Sequence, residues 1–243
     1  MRALLTRPRP DSEALAARLA RIGIEALVEP LLTIHEIADA KLDPTGVQAL
    51  VVTSANGARA LGRVTGGDAA ARALPVFAVG QASAEAARAA GFARVESAEG
   101  DVAALAALLR ARLDPAGGAL LHAAGSVTAG NLAGDLPDDL GGFEVRRAVL
   151  YRAEPAAALS GPAQAALAAG DLDVVLLYSP RTAATFARLV TAAGLPDACR
   201  GLAALCLSPA VAEALTGLDF RRVEVAPRPE EAALLALLGT GET

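Results

Sequence analysis

"VVLLYSPRTAATFARL", residues 174–189, joins an unbroken apolar run to a helix-period segment through Ser179 and Pro180. That is the pattern of a buried strand turning into a helix. The chain has already written nearly the same thing as "ALVVTSANGARAL" at 49–61, with Ser54 where Ser179 stands. Two further blocks are doubled in the same order. "RALLTRPRPDSEALAARLARIGIEALVEPLLTI" at 2–34 has a partner in "GALLHAAGSVTAGNLAGDLPDDLGGFEVRRAVLY" at 118–151. "VFAVGQASAEAARAAGFARVESAEGDVAALAALL" at 76–109 has one in "LAALCLSPAVAEALTGLDFRRVEVAPRPEEAALLALL" at 202–238. An α/β unit has been duplicated.

Short apolar runs predict strands near 2–6, 24–28, 48–52, 76–79, 93–96, 118–122, 143–149, 173–177, 202–206 and 221–225. Helical segments alternate with them, for instance 11–21, where Asp11 or Ser12 would cap the first turn and Gly23 would end the last. Continuous apolar strands alternating with helices imply parallel sheets covered on both faces, here two sheets of five strands. The pattern leaves two layouts open. A split near Pro115 would give one copy per domain. Alternatively the extended tails "PLLTIHEI" (30–37) and "RRAVLYRAE" (146–154) would lie side by side as a double linker, with one domain completed only when the chain returns.

The composition agrees with helix-on-sheet packing: 243 residues, 53% hydrophobic but only 3% aromatic, with no Trp. A formal charge of -5 argues against general nucleic-acid binding, which needs a basic face to displace counterions. Cys199 and Cys206 form no CxxC and have no His nearby in sequence, so neither a metal knuckle nor a disulfide framework is indicated. "MRALLTRPRP" lacks the apolar core of a signal peptide, and no run is long enough for a membrane span. The expectation is a cytoplasmic protein without a membrane partner.

The ordered set "LLTRP" (4–8), "VVTSANGARAL" (51–61), "FAVGQASAEAARAAGF" (77–92), "AVLYRAE" (148–154), "LLYSPRTAATF" (176–186) and "LSPAVAEAL" (207–215) resembles the uroporphyrinogen-III synthase family over essentially the whole chain. The resemblance implies an α/β fold of two flavodoxin-like or Rossmann-like parallel-sheet lobes joined by a two-stranded β linker, with the substrate between them. It selects the double-linker layout: 1–33 with 154–243 as a discontinuous first lobe, 39–147 as an inserted second lobe, and 34–38 with 148–153 as the linker. The reaction it implies closes hydroxymethylbilane into a macrocycle with inversion of the last pyrrole ring and loss of water. It implies no metal and no cofactor. The expectation is a monomer, and the sequence leaves open a transient contact with hydroxymethylbilane synthase.

That chemistry asks for a proton for the departing hydroxide and a rigid mould. Tyr151, in "AVLYRAE", matches the family's Tyr, and a phenol is an ordinary proton donor at neutral pH. Ser54 and Ser179 open helices at the carboxyl edge of a parallel sheet, where crevices bind ligands and helix N-termini hold carboxylates, of which the substrate has eight. Plain N-capping explains the same serines. Asn56 stands where some relatives are basic. Gly80 and Ser83 mark the next such turn, and Ser208 its counterpart in the other copy, where Ala210 and Val211 replace the family's frequent hydroxyls. Arg7 and Arg181 follow strands and suit pairing with acidic side arms. His35 and His122 read as structural. A non-catalytic bilobed binding protein, or a regulatory synthase-like protein, is the alternative reading.

Overall fold

The structure, a computed structural model, describes residues 1–126, 136–137 and 139–239. Part of the second copy of the first repeated block, 127–135 and 138, lies outside the described residues. The chain divides into two compact units, Met1–Thr33 with Glu154–Thr243, and Ile34–Ala153.

The first unit is built on β1 (Arg2–Leu5), α1 (Arg9–Ala20) and β2 (Glu25–Val28). The second takes the middle of the chain. After β3 (Leu32–Glu36), which spans the first crossing, come β4 (Val47–Val52), α2 (Ala55–Val64), α3 (Ala69–Ala73), β5 (Val76–Ala78), α4 (Gln81–Ala89), β6 (Val95–Ser97), α5 (Val102–Arg112), β7 (Ala119–Gly125), β8 (Asp139–Leu140) and β9 (Phe143–Pro155). The chain then returns to the first unit through α6 (Gly161–Ala169), β10 (Val174–Leu177), α7 (Pro180–Ala192), β11 (Ala203–Cys206), α8 (Pro209–Glu213), β12 (Arg222–Val225) and α9 (Glu231–Ala236).

The first unit's sheet has the order β12-β11-β10-β1-β2, all parallel. The second contains β6-β5-β4-β7-β9, also parallel, followed by β3 at its edge and β8 paired antiparallel to β9. Among the described residues its seven strands replace the expected five. The reason is that β9 runs unbroken for 13 residues through the segment divided in sequence between strand and linker, and carries β3 along its free side. Laid side by side, the two orders match strand for strand. Each unit combines the first block of one sequence copy with the second and third blocks of the other.

Alternate residues explain why both sheets read as continuous apolar runs. On β10, Val175 and Leu177 enter one cluster with Leu4, Phe186 and Leu189, while Val174 and Leu176 enter another with Leu15, Leu19 and Leu234. On β4, Leu50 and Val52 face Leu61 and Phe92, and Ala49 and Val51 face Leu105, Leu109 and Phe143. Such strands are buried on both faces, as helices on both sides of a parallel sheet require. Cys199 and Cys206 are both buried and unbridged within the first of these clusters.

One cap expectation is corrected. Helix α1 starts at Arg9, two residues before Asp11, so Asp11 and Ser12 lie within its first turn. Pro10 is tolerated in that turn because the first turn's N–H groups lack helical partners anyway. The Ser12 hydroxyl donates instead to the Arg7 carbonyl at 2.9 Å. Gly23, at φ +75°, closes the turn after α1 as expected.

Helix α2 packs against α4 and β7. A Cβ at Gly57 would stand 2.7 Å from the Ala123 carbonyl oxygen of β7, and backbone cannot yield as a side chain would. Gly57→Ala should therefore cost about 1–3 kcal/mol, the usual penalty of overpacking. Gly161→Ala, where nothing lies within 4 Å, should be neutral or stabilising. Urea unfolding of both variants checks the contrast, and equal midpoints would refute the close approach.

Candidate functional site

In a parallel sheet all strand ends of one kind share an edge. In the second unit the chain leaves β4 for β5 and β6 on one side, then reaches β7 and β9 on the other. The carboxyl ends of β4 and β7 therefore flank the point where strand order reverses, the usual place for a ligand crevice in open α/β sheets.

Ser54 stands two residues past the end of β4. Its extended backbone (φ -148°) caps α2, and its Oγ accepts from the Gly57 N–H at 3.0 Å. The same oxygen lies 3.1 Å from the Tyr151 hydroxyl, across 97 residues of sequence. The reach depends on a bulge. Pairing runs Ala124 to Val149, then Gly125 to Tyr151, so Leu150 is an extra residue on β9. Strand alternation would send Leu150 and Tyr151 to opposite faces. With the bulge both pack against the cluster around Leu61 and Ala123. The Leu150 carbonyl accepts from the Arg63 guanidinium and from the Ile37 N–H, each at 3.4 Å. Arg63 also binds Glu36 at 2.6 Å.

Around this pair the same edge carries more polar groups. Thr53 Oγ1 lies 3.1 Å from Nε2 of His122, a histidine only 1% exposed. Asn56 Oδ1 accepts from the Arg59 guanidinium at 2.7 Å. The one-turn spacing of 56 and 59 is the signal by which that arginine was legible, though the sequence reading missed it. Arg147 donates to the Gly125 carbonyl at 2.5 Å. Gly80 starts α4 with φ -139°, a conformation any residue adopts, and a Cβ there would meet nothing within 4 Å. Neither backbone nor packing demands glycine at that turn. Ser83 is buried at 6% exposure in the first turn of α4.

At the first unit's edge, Ser208, Ser179 and Arg7 follow the adjacent strands β11, β10 and β1. Ser179 caps α7, accepting from the Thr182 N–H at 3.2 Å, with the Thr182 hydroxyl 2.9 Å away. Ser208 has the extended cap conformation but makes no side-chain cap bond to α8. Arg181 lies in the first turn of α7, where its carbonyl accepts from the Thr185 hydroxyl at 2.8 Å. Arg7 does not stand alone: its guanidinium holds Glu231 at 2.7 Å and Asp11 at 3.3 Å, and lies 4.8 Å from the centroid of the Tyr178 ring. Glu231 also binds Arg18. Two guanidinium and two carboxylate groups thus balance one another at the end of β1. Tyr178, Glu231 and Thr182 were not singled out from sequence, because only folding brings α9 to β1.

Among the described residues no group of three or more His, Cys, Asp or Glu is placed to hold a metal ion. Nor is any helix among them long and apolar enough to cross a membrane.

The chain matches the family model described as HEM4, uroporphyrinogen-III synthase HemD, over residues 13–236. The chain belongs to the uroporphyrinogen-III synthase family. Members of this family are cyclising lyases of tetrapyrrole biosynthesis, and the chain shares their activity: closure of hydroxymethylbilane to uroporphyrinogen III with inversion of ring D. Three solved structures of uroporphyrinogen III synthase from Thermus thermophilus are similar to it. A mutant form is 19% identical, with 99% of this chain and 98% of that chain covered at a TM-score of 0.53. The wild-type form is 22% identical (99% and 96% covered, TM-score 0.38). The third is 17% identical (99% and 98% covered, TM-score 0.41). No curated protein sequence matches the chain.

The caps differ measurably between synthase turns. Ser54→Ala and Ser179→Ala should each lower stability by about 1 kcal/mol, while Ser208→Ala should stay within about 0.5 kcal/mol. Thermal melts of the three variants decide this, and equal losses would contradict the geometry.

Burial pushes the Tyr178 phenol well above its ordinary value; Glu231 adds to the shift, and Arg7 and Arg18 oppose it. A raised phenol favours the folded state below the ordinary value near ~10 and loses that advantage as pH rises beyond it. Stability should therefore fall above about pH 10, and less steeply in Tyr178→Phe. Cys199 and Cys206, pushed up to about 11 by burial, add a loss common to both proteins. Urea midpoints at neutral and alkaline pH, compared between parent and variant, test the sign.

Proposed function

We propose that the Ser54–Tyr151 pair is the acid end of the cyclisation. The observation that carries this is the 3.1 Å contact between the two hydroxyls at the point where the second sheet reverses its strand order. Ser54 Oγ already accepts from the Gly57 N–H, so its own proton is free to donate to the phenol oxygen. In that arrangement the phenol O–H points away from Ser54. It is then available to a departing hydroxide.

Pyrrole nitrogen electrons expel the terminal hydroxyl of hydroxymethylbilane, leaving an azafulvene cation. Transfer of the Tyr151 proton makes water of the leaving hydroxide. The phenolate left behind is held by the Ser54 O–H, and is reprotonated when the final pyrrole carbon loses its proton on rearomatisation. The remaining requirement is shape, because the same cation closes head to tail when nothing directs attack to the substituted carbon of ring D.

Ser54, Asn56, Gly80 and Ser83 at one sheet edge, and Arg7, Ser179, Arg181 and Ser208 at the other, are proposed to receive substrate carboxylates. Main-chain N–H groups of α2, α4 and α7 supply donors whatever the cap side chain does. The balanced network around Arg7 means that an acidic arm has to compete with Glu231 for that guanidinium. The protein is further proposed to be a cytoplasmic monomer that meets hydroxymethylbilane synthase only transiently, which would shield an unstable substrate.

Freshly made hydroxymethylbilane, with chromatographic separation of the I and III isomers, tests this reading. The expected product is mostly isomer III without added metal or nucleotide; a mixture matching the protein-free control would refute it. Tyr151→Phe should lose about tenfold or more in turnover while isomer III still dominates, since a missing general acid slows the step without deforming the mould. Parental turnover in that variant at saturating substrate would remove Tyr151 from the chemistry.

A further inference from the structure

We infer that Gly125 is a positioning residue for Tyr151, the empty place at the end of β7 that lets the phenol lie against the strand and reach Ser54. The inference rests on the proposed role of Tyr151 and adds a residue to it. A Cβ at Gly125 would stand 2.8 Å from both Cε2 and Cζ of Tyr151 and 3.2 Å from its hydroxyl oxygen. Ordinary contact begins at 3.4 Å, so the ring would have to retreat by roughly 0.6 Å. The 3.1 Å hydroxyl pair tolerates little of that before it leaves hydrogen-bonding range.

The ring has few ways to accommodate the change. Its backbone is fixed on the Gly125 side by the Ser126 N–H, which donates to the Tyr151 carbonyl at 2.7 Å. Just before it, the bulge residue Leu150 is held by Arg63 and Ile37. A packed ring between such anchors moves as a unit or adopts another rotamer, and either separates it from Ser54.

Gly125 differs from Gly57 in what it meets. At Gly57 the nearest obstacle is a backbone carbonyl, whereas at Gly125 the three nearest atoms all belong to the Tyr151 side chain. Gly125 is also absent from the glycines with positive φ, so its backbone does not demand glycine. Alanine at 125 should therefore fold, and act on the phenol.

The chain offers a clean readout, because it has no Trp and two Tyr. In a Tyr178→Phe background all tyrosine absorption and emission comes from Tyr151. Adding Gly125→Ala to that background should shift the absorbance and the emission of the phenol. It should lower turnover by about tenfold, with KM nearly unchanged and isomer III still dominant, matching the loss from Tyr151→Phe in the same background. Combining Gly125→Ala with Tyr151→Phe should add less than about twofold, since a phenyl ring has no proton to misplace. Unchanged absorbance and emission in Gly125→Ala would overturn the inference. So would near-parental turnover in Gly125→Ala beside a slow Tyr151→Phe, and that result would leave the role of Tyr151 standing. A shifted phenol signal together with parental turnover in Tyr151→Phe would support Gly125 as the residue that places the ring, while refuting the proposed acid.

Discussion

The second unit's edge depends on a close approach that only two missing side chains permit. Gly57 lets the first turn of α2 come against the Ala123 carbonyl near the end of β7, and Gly125 lets the Tyr151 ring come against the same strand end from β9. Between them stands Ser54, which binds the Gly57 N–H and meets the Tyr151 hydroxyl. Interiors packed at crystal-like density cannot absorb an extra methyl for nothing, so these two positions set the spacing of everything polar around them. The bulge at Leu150 is the complementary device. By inserting one residue into β9 it turns a side chain that alternation would send elsewhere toward the reversal point of the sheet.

The exchange of repeated blocks has a similarly plain cause. A strand of the β1 or β7 kind needs a neighbour of the β10 or β4 kind, and the duplicated sequence supplies both neighbours with nearly the same apolar face. In both sheets the order is the same, so pairing with the other copy's second and third blocks satisfies the same backbone bonds and side-chain contacts as pairing with its own. The chain passes from one unit to the other twice, after Thr33 and after Ala153. A simple tandem split at Pro115 would have left β7 and β9 away from β4, and with them Tyr151 away from Ser54.

The two edges handle charge differently. Around β4 and β7 the groups are hydroxyls, one buried imidazole and the amide of Asn56, with the Arg59 guanidinium drawn in by that amide and the Arg147 guanidinium on the Gly125 carbonyl. Around β1 the charges are strong but already matched, two guanidinium groups against two carboxylates with an aromatic ring beneath one of them. Each of these charges already has an opposite partner. They also set a threshold that an incoming carboxylate has to exceed.

Much of this was open to a reader of residues alone. Apolar runs of four to seven residues locate the strands because a doubly covered parallel sheet has no polar face, and the doubled "LLYSP" and "VVTSA" turns locate the two reversal points because a hydroxyl after a strand is what a helix start needs. Ser54 and Ser179 could therefore be named in advance as helix starts, whereas Tyr151 was named by the resemblance of "AVLYRAE" to the family's motif. Periodicity could not decide which copy each block would join, because equivalent strands offer equivalent partners. It could not show the bulge either, since an extra residue changes the face of a side chain without changing local composition. Nor could it show that Arg7 would be occupied by Glu231, 224 positions away, or that a glycine at 125 would make room for a ring at 151. Local patterns are set by neighbours in sequence, whereas these contacts form only where packed strands and helices bring distant residues within a few ångströms of one another.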